Sequence, residues 1–202
     1  AKPLAELVHA VVYRGTLPAE QKAGMGLRIA QVNGSPYVAA HMVRILRGAT
    51  EGAQGDRGKA VLAALERNNL TPLPAAERLA VRYAEQLTRS VHGVTPTDFE
   101  QLRGAFNDNE IVELTLTVAF FNYFTRYAEG LRLPVEAWAL DGPAPPRAEP
   151  RQTVARIGLI SDEEMAATSA AQAAAKDPAQ QSRGLGLGMA NSQRAMLRAP
   201  GL

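Results

Sequence analysis

The sequence predicts an all-α protein folded as a single helical bundle, and three observations carry that expectation. Breakers and capping residues, among them Pro18, the Asn33–Gly34 pair, Pro74, Thr95 and Asn107, divide the chain into segments of helical length. Apolar residues recur within those segments at helical spacing. The composition is 46% hydrophobic and only 5% aromatic, dominated by small and aliphatic residues that favour helices. At 202 residues the chain can bury one substantial core, and one domain is expected.

The first element is expected where Pro3 opens "PLAELVHAVVYR", with Leu4, Leu7, Val8, Val11 and Val12 on one face and Gly15 closing it. Pro18 opens the second, to about Val32. Asn33 and Gly34 break it. Ser35 is then a natural N-cap with Pro36 at the first helical position, for a helix to Arg47. A Gly-rich loop is expected from Gly48 to Gly58, leading to "KAVLAALERNN". Pro74 begins "PAAERLAVRYAEQLTRS", and Thr95 caps "PTDFEQLRGAF". Asn107 and Glu110 form a capping box ahead of "IVELTLTVAFFNYFTRYAEGL". That segment is apolar nearly all round, so it is expected to be the central, most buried helix.

The character changes after Pro134. Residues 141–152, "DGPAPPRAEPRQ", hold four prolines and no apolar period, as a linker does. Beyond it, Ser161 and Glu164 form a second capping box, and "RGLGLGMANSQRAMLRAPGL" ends in one short helix. The glycine run there gives a nominal GxG, but no strand precedes it and no acidic partner follows, so a dinucleotide site is rejected. The organisation expected is a core over residues 1–140, a Pro-rich linker over 141–152, and a helical segment over 153–202 that completes the same domain.

The chain has 22 basic and 20 acidic residues, a net charge of +2, with no basic stripe or like-charge block. Nucleic acid is therefore not expected as a partner. No apolar run reaches the roughly 20 residues that cross a bilayer, and "AKPLAELVHAVVYRG" is not a signal core, so a cytoplasmic protein without membrane contact is expected. There is no cysteine. Disulfides, thiolate metal sites and thiol nucleophiles are excluded outright. The three histidines lack metal spacing, so neither a metal nor another cofactor is expected.

From Leu17 to Trp138 the order of segments resembles the carboxymuconolactone decarboxylase and alkylhydroperoxidase D superfamily, especially its peroxidase-related branch. "LPAEQKAGMGLRIAQVNGSPYVAAHMVRIL" is similar to that family's helix, Asn-Gly break and active-site helix. "LPAAERLAVRYAEQLTRSVHGVTPTDFEQLRGAFNDNEIVELTLTVAFFNYFTRYAEGLRLP" is similar to its second half, including the pattern around Asn122 and Arg126. The resemblance implies an all-helical alkylhydroperoxidase D-like bundle and a homo-oligomer, from dimer to hexamer.

It also implies a peroxidase site of two cysteines three apart, a histidine four residues after the second and a glutamate about twelve before the first. This chain departs from it at every position. Ser35 and Val38 stand at the cysteines, Met42 at the histidine and Ala23 at the glutamate. His41 corresponds to an additional histidine of the peroxidase-related branch. The decarboxylase branch's glutamate and histidine, at the positions of Val38 and Met42, are absent too. "RIGLISDEEMAATSAAQAAAK" and "GMANSQRAMLRAPGL" resemble the segment that ordinarily precedes the first helix. Joining Leu202 to Ala1 gives a continuous, family-like run, so a circular permutation is expected, with Ala1 and Leu202 close together.

Val38, His41, Met42 and Ile45 share one helical face, which places the histidine on the apolar side, buried. It could serve as a general acid or base; a hydrogen-bonded core histidine is the more ordinary outcome. Ser35 could be a nucleophile only with an adjacent base and an oxyanion site, and its capping role explains it better. Tyr37 and Tyr13 are candidates to line the same pocket, with aromatic packing as the plainer account. Two functions follow. One is a lapsed family member with no thiol peroxidase activity that holds a small apolar ligand. The other is a residual enzyme using His41 as acid or base.

Overall fold

The computed structural model describes residues 2–48, 53–140, 155–161, 163–164 and 191–196. Helix α1 (Lys2–Tyr13) is followed by α2 (Ala19–Asn33), α3 (Pro36–Gly48), α4 (Ala53–Glu66), α5 (Ala75–Arg89), α6 (Pro96–Arg103), α7 (Asp108–Leu131) and the short α8 (Asn191–Met196). No strand occurs among the described residues. Single 3₁₀ turns follow α5, at Val91–Gly93, and α7, at Ala137–Ala139. The expected all-α single-domain bundle is the observed one.

Most boundaries fall where the capping residues put them. Gly34 sits at φ 65° in the left-handed region and donates its N–H to the Ala30 carbonyl, which ends α2. The Ser35 N–H also reaches the Ala30 carbonyl, at 2.9 Å. Ser35 then starts α3, its Oγ accepting the Val38 amide at 3.4 Å. Thr95 with Asp98 and Asn107 with Glu110 form reciprocal capping boxes at α6 and α7. The same reciprocal bonds join Ser161 and Glu164.

Two expectations are corrected. The Gly-rich segment is not a loop throughout: α4 already begins at Ala53 and runs through Gly55 and Gly58. Tertiary packing overrides the weak propensity of glycine there. The central helix is α2 rather than α7. It packs against α1, α3, α4, α5 and α7, although its sequence is far from uniformly apolar. Small residues make this arrangement physically possible. A Cβ on Gly26 would lie 2.7 Å from Phe121 Cζ and 2.9 Å from Met42 Sδ, so α7 and α3 close onto α2 where that side chain is missing. Helix α7 buries Leu114, Val118, Phe121 and Phe124 but leaves Val112, Leu116 and Tyr123 exposed.

Two charged groups of α2 are paired where the helix is enclosed. Lys22, fully buried, donates to Glu113 Oε1 at 2.8 Å and to the Arg14 carbonyl. Arg28 pairs with Glu85 at 2.6 Å. Beside α7, Asn33 donates to Asn122 Oδ1 at 3.1 Å and Thr125 Oγ1 at 2.9 Å, and Asn122 donates to Thr88 Oγ1 at 2.9 Å. This network ties the end of α2 to α5 and α7.

The chain returns past the end of α7. The Arg156 N–H donates to the Leu131 carbonyl at 2.9 Å, Ile160 is buried, and Arg194 of α8 donates to the Ile160 carbonyl at 3.0 Å. Helix α8 also packs against α1 and buries Ala195. The Pro-rich stretch 141–152, the glycine run, Ala1 and Leu202 lie outside the described residues. No described helix is long and apolar enough to cross a membrane.

Candidate functional site

The expected buried face of α3 is realised: Val38, His41, Met42 and Ile45 are all buried. His41, only 3% exposed, meets Glu136 from the segment just after α7, with Nε2 and Oε2 3.1 Å apart. The two groups are close without being aligned as a linear hydrogen bond. Tyr37 stands one turn before His41, its ring centroid 4.6 Å from the imidazole. Its hydroxyl donates to Glu136 Oε1 at 3.1 Å. The Asn191 N–H of α8 donates to the same oxygen, and the Asn191 side-chain amide donates to the Pro134 carbonyl at 2.9 Å. The Glu136 carboxylate is thus the meeting point of α3, the segment after α7, and α8.

Burial pushes the Glu136 carboxyl up. The His41 contact and charge, together with backbone N–H donors including that of Asn191, more than offset it and hold the group below its usual 4.5. A carboxyl depressed in the folded state contributes stability that is present above the unfolded value and lost as pH falls through the folded one. Thermal stability should therefore drop on acidification below about pH 4.5, with Glu85 and Glu113, also depressed, contributing. Glu136→Gln should flatten that decline and cost about 1–3 kcal/mol at neutral pH. Melting curves of both proteins from pH 7 to 3 check this, and parallel curves would remove Glu136 from the account.

Ser35 is buried, and its Oγ donates to Glu129 Oε1 of α7 at 2.9 Å while capping α3. The carboxylate gives it a hydrogen-bond acceptor. No imidazole is described against that hydroxyl. Ala23, Val38 and Met42 are buried and apolar, so those three positions supply no proton-moving group. Tyr37 is brought to His41, whereas Tyr13 is 39% exposed on α1 with its ring 5.4 Å from that of His9. Among the described residues, no cluster of three metal-ligating side chains is placed to hold an ion. Glu136 and Glu129 were not marked out by the sequence, since each meets its partner across more than ninety positions and obeys no local spacing.

The bundle and this polar cluster define an all-helical protein with a buried histidine–carboxylate pair and no thiol. The chain is similar in structure to an uncharacterized peroxidase-related protein from Silicibacter sp. TM1040, with a TM-score of 0.58 and 20% identity over 67% of this chain and 70% of that one. At that identity the likeness is one of fold. No protein-family model matches the chain, and no curated protein does.

Proposed function

We propose that this chain is an alkylhydroperoxidase D-like, peroxidase-related protein without thiol peroxidase activity, whose site has become a closed polar clasp. The observation that carries the reading is Ser35: at the start of the site helix, where a thiol nucleophile would stand, a buried hydroxyl donates to Glu129 in a chain without cysteine. Val38 and Met42, both fully buried, fill the face of α3 on either side of His41. An acid–base use of His41 would require the same 3.1 Å contact with Glu136. Its 3% exposure speaks against that use, because a substrate proton has no open approach. Hydroperoxide consumption with a dithiol reductant tests the proposal. Turnover that depends on the reductant would overturn it.

The reading includes a permuted order in which residues 153–202 complete the domain built by residues 1–140. Its support is the packing of α8 on α1, with Ala195 and Ile160 buried in the same body. A gene encoding Thr153 to Leu202, then Ala1 to Leu140, without residues 141–152, should yield a protein with the same helical circular dichroism and a cooperative melt. A molten or insoluble product would count against permutation.

A further inference from the structure

The geometry points to an antiparallel pairing of α7 with α7 of a second copy of this chain, centred on Ala119. Helix α7 carries two stripes. One, which includes Ile111, Leu114, Val118 and Phe121, is buried in the bundle. The other is Val112, Leu116, Ala119, Tyr123, Arg126 and Gly130, all exposed. Their spacings alternate four, three, four, three and four, which is the heptad register of a two-helix seam. Val112, Leu116 and Tyr123 are 58%, 61% and 48% exposed, so the seam holds large apolar side chains in water.

Charge selects both the occupant and its direction. The first turn of α7 carries Asp108 and Glu110, and its far end carries Arg126 and Arg132. Arg126 lies along the helix, donating to the Asn122 carbonyl at 3.0 Å and to Asn122 Oδ1 at 2.9 Å. A parallel copy would set acid on acid and arginine on arginine. An antiparallel copy centred on Ala119 sets Val112 level with Arg126, and Leu116 beside Tyr123. Each arginine end then lies along the partner's acidic first turn, and the two helix dipoles oppose. The methyl at the centre lets the helices approach closely. A single seam is smaller than a permanent interface, so the association depends on concentration.

The absence of cysteine allows a direct test by single-cysteine cross-linking, with sedimentation of the wild-type protein at rising micromolar concentration alongside. Ala119→Cys should form a covalent dimer on mild oxidation or with a short bis-maleimide, because the two-fold axis brings residue 119 to its own copy. Val112→Cys and Arg126→Cys should each cross-link poorly alone and well when mixed. Adding Leu116→Lys to Ala119→Cys should cut dimer yield about tenfold or more, with unchanged circular dichroism because the residue faces water. A wild-type protein that stays monomeric, or a Val112→Cys protein that cross-links efficiently to itself, would overturn the proposal. The latter result would indicate a parallel pair.

Discussion

Wild-type protein given hydroperoxide and a dithiol reductant should consume peroxide no faster than buffer does. Reduction by the thiol route requires a thiolate to attack the peroxide and a second thiol to resolve the resulting sulfenic acid. A chain without cysteine supplies neither. The Ser35 hydroxyl is no substitute, since it is protonated at neutral pH and has no oxidation ladder. Ser35→Cys alone should form a sulfenic acid once and stop. Adding Val38→Cys provides the resolving sulfur, but the Glu129 carboxylate that now accepts from Ser35 would sit against the new thiol and oppose its ionisation. Only the fourfold variant, with Ala23→Glu and Met42→His added, carries the groups that move protons. Both added side chains enter fully packed positions, so its stability must be measured beside its rate. Turnover confined to the fourfold protein would show that the scaffold still supports the chemistry. Reductant-dependent turnover by the wild type would refute the proposed function.

Glu113→Ala should produce the largest loss of stability from a single substitution at a partly exposed residue. Its carboxylate accepts from the buried Lys22 ammonium at 2.8 Å, from the Thr16 N–H at 2.8 Å and hydroxyl at 2.9 Å, and from the Leu17 N–H at 3.3 Å. Gly15, at φ 103°, lets the loop wrap this closely, because a Cβ there would stand 2.2 Å from Glu113 Oε1. Burial pushes the Glu113 carboxyl up, and the bonds from Lys22 and Thr16 more than offset it, so the group lies below its usual value. Removing it leaves the Lys22 charge buried without its counter-ion, at a cost of about 3–5 kcal/mol. For a chain of this size that is a fall in melting temperature of about 6–20 °C. Lys22→Met combined with Glu113→Leu removes both charges and should recover most of the loss. An unchanged melt for Glu113→Ala would show that the clasp contributes nothing.

Local signals carried most of the fold. The Ser35 cap, the capping boxes at Thr95 and Asn107 and the burial of His41 all depend on residues within a turn or two of one another, and each was readable from spacing. The identity of the central helix was not. An average over α7 hides its division into a buried stripe and an exposed one. The charges of α2, Lys22 and Arg28, are neutralised by Glu113 and Glu85, residues far along the chain that no local spacing connects to them. The site divides in the same way. His41 and Tyr37 lie one turn apart on a single helix, while Glu136, which joins them, arrives from a segment whose position depends on the whole bundle.

Glu136 makes the two distant parts of the chain share one acceptor. Tyr37 of α3 and Asn191 of α8 both donate to its Oε1, so a single carboxylate anchors the histidine's helix and α8. Loss of that carboxylate would therefore take a hydrogen-bond acceptor from α3 and α8 together.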